Sequence, residues 1–430
     1  MFLKARGAVV TVSDSKPREQ LSKEIPVLLD QGIAVETGGH GERTFRDQDL
    51  IVVSPGVPVD TPALEQARAL GMTIIGEIEL AAGFLPARIV AVTGSNGKTT
   101  TTTLIGEILR TAGMLTLVGG NIGTPAISLV EKSTPETAVV LEVSSFQLET
   151  TASFRPRVAL ILNITPDHLD RHGTFAAYAE AKARIFQNQQ LGDFAVLNAD
   201  DATCVELASR TRGQVFWFSL TKAVREGAYV KNSQIVFRDS GGEREIIPVP
   251  EIPLKGAHNV ENVLAAVCAG ALMGCPVEKI RRAVAGFKAV EHRLEYVATV
   301  RGVEYYNDSK ATNVDATIKA LESFPANIHL ILGGKDKGSD YSALNPLLRE
   351  RVKKVYTIGA AAAKIESHIQ GAAEIVRSET LDNALRQASA AAQPGDIVLL
   401  APACASFDQF QNYEHRGRTF KELVQALPAN

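Results

Sequence analysis

Cysteine is scarce and scattered. Cys204, Cys268, Cys275 and Cys404 are the only four in 430 residues, and no two make a C-x-x-C pair. That excludes a disulfide framework and a thiolate zinc site, and it fits reduced thiols. Any metal must be held by oxygen and imidazole ligands. The chain also lacks an uninterrupted apolar run of about 18 residues and a cleavable leader at its start, so the expectation is a soluble cytoplasmic protein with no membrane partner. Charged residues are 22% of the total, with a net charge of -3 and both signs interspersed. No basic surface for nucleic acid follows from that. Short-period repeats and low-complexity segments are missing too.

What is present is α/β alternation on a scale too large for one core. From Ala8 to about Leu85, runs such as "AVVTVS", "LIVVSPG" and "MTIIGE" alternate with helical stretches such as "TPALEQARALG". A second series starts at "RIVAVTG" and includes the alternating segment "AYVKNSQIVFRDSGGEREIIPV", read as a β-hairpin insert. A third follows "EHRLEYV", with strands at "VEYYND", "HLILGG", "KVYTIG" and "DIVLLAP". The reading is three α/β domains in series: 1–86, Rossmann-like; 87–289, resembling a phosphate-loop ATPase; and 290–430, Rossmann-like. "MFLKARGAVVTVSDSK" reads as the end of a helix, a stop at Gly7, then a strand ending at Asp14. A doubly wound domain opens with a strand and a glycine-rich turn, so the first domain is expected to lack its first βα unit.

Chemistry concentrates at strand ends. "AVTGSNGKTT" carries Gly94, Ser95, Asn96, Gly97, Lys98, Thr99 and Thr100 between a strand and an amphipathic helix. Glycines that turn backbone N–H groups toward an anion, a helix N-terminus and a lysine make a phosphate site, and Thr99 offers magnesium a hydroxyl. The spacing differs from the common phosphate loop, since Val92 stands where its first glycine belongs. Glu142 closes the apolar strand "AVVLEV", where an acidic magnesium ligand is expected. "NITPDHLDRHGTF" offers Asp167, His168, Asp170 and His172; His168 is assigned to metal or substrate and His172 to an exposed turn. In "TFAAYAEAKARIFQN", Phe175, Tyr178, Ile185 and Phe186 form one helical stripe with Lys182 inside it. A lysine there either snorkels past the aromatics or is carbamylated to an anionic magnesium ligand. Asn259 and Asn262 stand three apart at a helix start, Asn259 also being a possible helix cap; Arg293, Asp308, Lys310, Thr312 and Lys337 sit in polar segments facing a shared cleft.

In this order the motifs resemble the Mur ligase superfamily, ATP-dependent amide ligases of peptidoglycan precursor synthesis that include the folylpolyglutamate synthetases. "TGSNGKTT" is similar to that family's short phosphate loop, and "APACASFDQFQNYEHRG", residues 401–417, resembles its D-glutamate-adding branch. The resemblance implies that ATP phosphorylates the carboxylate of UDP-MurNAc-L-alanine and that the amine of D-glutamate then displaces phosphate. It implies that Lys98 holds the β- and γ-phosphates, Thr99 and Glu142 one magnesium ion, and His168 and carbamylated Lys182 a second. It places Asn121 on the UDP substrate. Asn259, Asn262, Arg293, Asp308 and Lys310 fall on the nucleotide, and Thr312, Lys337, Ser406 and Phe407 on D-glutamate. Asp14, Ser15, Lys16, Ser54 and Gly56 fall where the family holds uridine. The first strand and glycine-rich loop of the family are absent from this sequence, which implies weaker stability or UDP-substrate binding. Nothing in the sequence calls for more than a monomer. Alternatives left open are an amide ligase for another amino acid, a silent nucleotide-binding protein, and a phosphate-loop kinase or GTPase.

Overall fold

The computed structural model describes residues 1–46, 48–288 and 290–428. The boundary read at residue 289 lies outside the described residues.

The middle of the chain builds a nine-stranded sheet. Its spatial order runs Gly242–Pro248, Gln234–Asp239, Gly227–Lys231, Gln214–Ser219, Phe194–Asn198, Val158–Ile161, Arg88–Thr93, Ala138–Glu142, Thr116–Gly120. The last seven in this order are parallel, and the first two pair antiparallel at one edge. That edge is the expected insert, a meander whose first turn uses Asn232 and Ser233, both with positive φ, as a two-residue hairpin requires. Alternate residues of each central strand enter opposite cores. Val90, Val92, Val140 and Leu160 pack with Leu104, Ile105, Ile108 and Val263 from the helices Lys98–Thr111 and Ala257–Leu272. Ile89, Ala91, Leu141 and Ile161 pack on the other face with Leu148, Tyr178, Ile185 and Phe186. Coverage on both faces is why these strands read as continuous apolar runs rather than alternating ones.

The C-terminal part forms a six-stranded sheet in the order Glu295–Val300, Val303–Asn307, Ile397–Leu400, Ile328–Gly333, Val352–Ile358, Glu374–Glu379. Only its first pair is antiparallel. The two strands that sequence reading passed over, "EYVATV" and "EIVRSE", are its two edges, where polar residues interrupt the apolar pattern.

The N-terminal part differs from a continuous parallel sheet. Thr11–Asp14 pairs with Ala34–Thr37, and Leu50–Val53 with Thr73–Gly76, as two separate parallel pairs. Val52, within its strand, is 37% exposed, and Val9, just before the first strand, is 95% exposed, so little is buried here. The helix Glu77–Phe84 ties this part to the central one. Glu79 accepts hydrogen bonds from the backbone N–H groups of Ala152 (3.0 Å), Ser153 (2.7 Å) and Phe154 (2.9 Å). Burial alone would raise its pKa, but the Ser153 hydroxyl and then these three N–H groups hold it below the usual carboxylate value. No helix among the described residues is long and apolar enough to cross a membrane.

Candidate active site

The strand Arg88–Thr93 delivers its carboxyl end into the loop Gly94–Gly97, and the helix Lys98–Thr111 leaves it. Gly97 has φ +82°, and a Cβ there would lie 2.1 Å from the Asn262 side-chain oxygen, so only glycine fits. Asn163, on the neighbouring strand's exit, accepts from the Asn96 N–H (2.8 Å) and donates to the Asn96 carbonyl (3.2 Å), fixing the loop's tip. Lys98 Nζ curls over the loop, donating to the carbonyls of Gly94 and Ser95 at 2.8 Å each. Burial, and secondarily the charge of Arg293, lower its pKa, while Glu142 opposes them.

Thr99, Glu142 and Asn121 form one hydrogen-bonded set. The Thr99 hydroxyl donates to Glu142 Oε2 (2.7 Å), and Asn121 Nδ2 donates to Oε1 (3.0 Å) of a carboxylate only 1% exposed. A hydroxyl and a carboxylate side by side behind the lysine are hard oxygen donors that fit magnesium. Arg293 reaches in from the C-terminal part, donating to Thr99 Oγ1 at 2.8 Å. Asn262 accepts from Thr101 (3.3 Å) and donates to Asn259 (3.1 Å). Asn259 lies inside the helix Ala257–Leu272, whose N-cap is Gly256, so it does not cap that helix.

Lys182 is 1% exposed, as its place in the aromatic stripe requires, and it does not snorkel to solvent. Its Nζ donates to the Gly94 carbonyl at 2.9 Å and sits 4.4 Å from the Tyr178 ring centroid. Burial, then the nearby Lys98 charge, push its pKa well below the ordinary lysine value. A neutral amine is the form that reacts with carbon dioxide.

His168 stands at φ +53°, at the start of a one-turn helix. Burial first, then the lysine charges of residues 337, 98 and 182, lower its pKa to about 4 against the pull of Asp167. It is therefore a neutral imidazole near neutral pH, the form that ligates metal. The expectation of an exposed His172 is corrected. Its side chain is 3% exposed, stacks on Phe146 and lies 3.0 Å from Ser145 Oγ and 3.2 Å from Glu149. The short helix Ser145–Leu148 and its C-cap Glu149 supply these partners, and nothing in the local sequence of the histidine announces them.

From the C-terminal part, Asp308, Lys310 and Thr312 line the same cavity as Lys98, Asn121, Glu142, His168, Lys182, Asn259, Asn262 and Arg293, a space of about 370 Å³. Asp308 titrates at about 7, raised by burial against the Arg293 charge. Lys310 is lowered to about 8, chiefly by burial, and lies 3.7 Å from the Tyr413 ring centroid. Lys337 donates to Asp167 Oδ1 at 3.2 Å, and Asn313 to Oδ2 at 3.1 Å. Asp167, Asn163, Thr165, Tyr178, Asn313, Asp315 and Tyr413 are site or site-flanking residues that sequence reading did not assign.

Other expected residues lie apart from this cavity's lining. Ser406 is buried outside it and Phe407 is 67% exposed. Asp14 accepts from the Lys16 N–H in a tight turn (2.8 Å), and Ser15, Lys16, Ser54 and Gly56 are exposed on the N-terminal part. Glu291, His292 and Glu295 form the one histidine and carboxylate group among the described residues tight enough for a metal ion. Lys421 already neutralises both of its carboxylates, at 2.9 and 2.6 Å.

The family profile for the Mur ligase middle domain matches residues 92–270, that for the Mur ligase glutamate ligase domain residues 292–404, and that for the MurD-like N-terminal domain residues 1–76. The chain belongs to the Mur ligase family. It is 67% identical over 426 residues to the UDP-N-acetylmuramoylalanine–D-glutamate ligase of Koribacter versatilis, covering 99% of this chain and 94% of that relative. It is 60% identical over 428 residues to the ligase of the same name from Acidobacterium capsulatum, covering 99% and 93%. Among solved structures, its fold matches a pseudomurein peptide ligase type C from Methanothermus fervidus (TM-score 0.64, 20% identity, 99% and 96% covered). It also matches E. coli FolC in complex with ADP (TM-score 0.61, 18% identity, 87% and 98% covered). The loop Gly94–Gly97, the Thr99–Glu142 pair and the cleft shared with the C-terminal sheet lie together at one cavity.

Proposed function

We propose that this Mur ligase joins D-glutamate to UDP-N-acetylmuramoyl-L-alanine at the expense of ATP, in the cytoplasm and as a monomer. The observation that carries the reading is 67% identity across 99% of the chain to a ligase so named. In this reading the γ-phosphoryl group passes to the alanyl carboxylate, and the amino group of D-glutamate attacks the acyl phosphate and expels phosphate. Lys98, with the N–H groups of the loop 94–100, holds the phosphates. Arg293, Asp308, Lys310, Asn259 and Asn262 hold the rest of the nucleotide. Thr99 and Glu142 would hold one magnesium ion and His168 with carbamylated Lys182 a second, supplying charge neutralisation at the transferred group. Asn121 meets the UDP substrate, whose uridine falls to Asp14, Ser15, Lys16, Ser54 and Gly56. Thr312, Lys337, Ser406 and Phe407 form the amino-acid pocket, Lys337 pairing with a carboxylate. The proposed domains are 1–86, 87–289 and 290–430.

The test is phosphate release from ATP by the purified chain with UDP-N-acetylmuramoyl-L-alanine and single amino acids. Release with D-glutamate and not with L-alanine, L-glutamate or D-alanine is expected. Release that ignores the added amino acid would point to a kinase or simple ATPase instead.

A further inference from the structure

Asp315 takes no part in the chemistry proposed above, yet its position is unusual for a first-turn helix residue. It belongs to the helix Val314–Glu322 of the C-terminal part. Its carboxylate crosses to the central part, where Oδ2 accepts from Asn96 Nδ2 of the phosphate loop (2.6 Å) and from Thr165 Oγ1 (3.3 Å). Thr165 precedes the turn that carries His168 by three residues, and its N–H donates to Ser95 Oγ (2.9 Å). One carboxylate thus touches the loop that holds phosphate and the segment that leads to the imidazole. Two residues earlier, Asn313 caps the same helix through Ala316 N–H (2.8 Å) while donating to Asp167.

We propose that Asp315 is a positioning residue that latches the amino-acid-binding part of the chain onto the phosphate loop through Asn96 and Thr165. This rests on the reading that the C-terminal part presents the amino acid. The loop's own shape does not depend on the latch, because Asn163 fixes the Asn96 main chain from within the central part. Loss of the latch should therefore weaken use of the amino acid more than nucleotide affinity, because the C-terminal part gives the nucleotide only Arg293, Asp308 and Lys310 while the loop stays held by the central part. A residue that merely stabilised the loop would lower both equally.

Asp315→Ala is expected to lower kcat/KM for D-glutamate about tenfold or more, the loss of two hydrogen bonds to a charged group, from Asn96 and Thr165. Equilibrium affinity for ATP alone should fall less, by about threefold at most, because its loop is otherwise held and only Arg293, Asp308 and Lys310 come from the latched part. Asp315→Asn keeps an acceptor at the same place and should recover part of the loss. In an Asn96→Ala background, Asp315→Ala should cost much less than in the parent chain. Small-angle scattering of the unliganded chain supplies a readout independent of the substrate reading, with a larger radius of gyration expected for Asp315→Ala. Unchanged scattering together with unchanged kcat/KM for D-glutamate overturns the latch, as does an equal loss in ATP affinity and amino-acid use. If the parent chain shows no D-glutamate-dependent turnover the functional reading fails, and scattering alone then decides the latch.

Discussion

Replacing Lys182 by methionine should move stability and turnover in opposite directions. The side chain is 1% exposed, has one hydrogen-bond partner in the Gly94 carbonyl, and feels the Lys98 charge. A buried cation or amine so poorly compensated costs stability, and an apolar side chain of similar length removes that cost. The expected gain is about 1–3 kcal/mol, by analogy with buried charges replaced by hydrophobic residues, read as a melting temperature higher by ~2–4 °C per kcal/mol. Turnover should fall at least about a hundredfold, because methionine cannot form the carbamate proposed for Lys182. The shorter Lys182→Ala leaves room, so added formate or acetate should restore part of its activity by supplying carboxylate oxygens. Differential scanning calorimetry in carbon-dioxide-depleted buffer and a phosphate-release assay read the two effects separately. A methionine variant that turns over like the parent, or an alanine variant indifferent to formate and acetate, would refute the reasoning.

Lys337→Ala should raise KM for D-glutamate about tenfold or more and that for ATP far less, on the proposal that its ammonium, paired with Asp167 in this structure, takes a carboxylate of the amino acid; steady-state kinetics with each substrate varied decides it. Asp308 has a folded-state pKa raised to about 7, so the proton it keeps favours the folded chain at low pH. That contribution is fully present below its unfolded pKa of about 4 and is lost as pH rises through about 7, and Asp308→Asn should flatten this part of a denaturation profile against pH. Glu79 has the opposite sign: its lowered pKa stabilises the fold above about pH 4, and that stabilisation is lost as pH falls through its folded value. Glu79→Ala would take the acceptor from three N–H groups, of which that of Phe154 is buried, and should cost about 1–3 kcal/mol in urea denaturation.

The strand, loop and helix around residues 94–100 were legible because their signals are local: glycines, a lysine and a threonine between a strand and a helix within ten residues. Lys182 was legible for the opposite reason, a charge on a stripe that geometry says must be buried. Asp167 and Asp315 carried no such mark. Each looks like a surface-turn acid, and its partners lie far away in the chain, Lys337 being 170 residues from Asp167 and Asn96 being 219 from Asp315. His172 reads as an exposed turn for the same reason, since Phe146 and Glu149 arrive from a separate helix. The edge strands of the C-terminal sheet were masked by their polar residues. The division of the N-terminal sheet into two pairs follows from which backbone groups find partners, and a one-dimensional pattern carries no record of that.

An oxygen-transfer experiment tests the proposed ligase chemistry most directly. UDP-N-acetylmuramoyl-L-alanine labelled with oxygen-18 in its alanyl carboxylate is turned over with ATP and D-glutamate, and the released phosphate is analysed by mass spectrometry. An acyl phosphate passes one carboxylate oxygen to phosphate, so phosphate carrying a single label is the predicted result. Phosphate released without label would contradict the account.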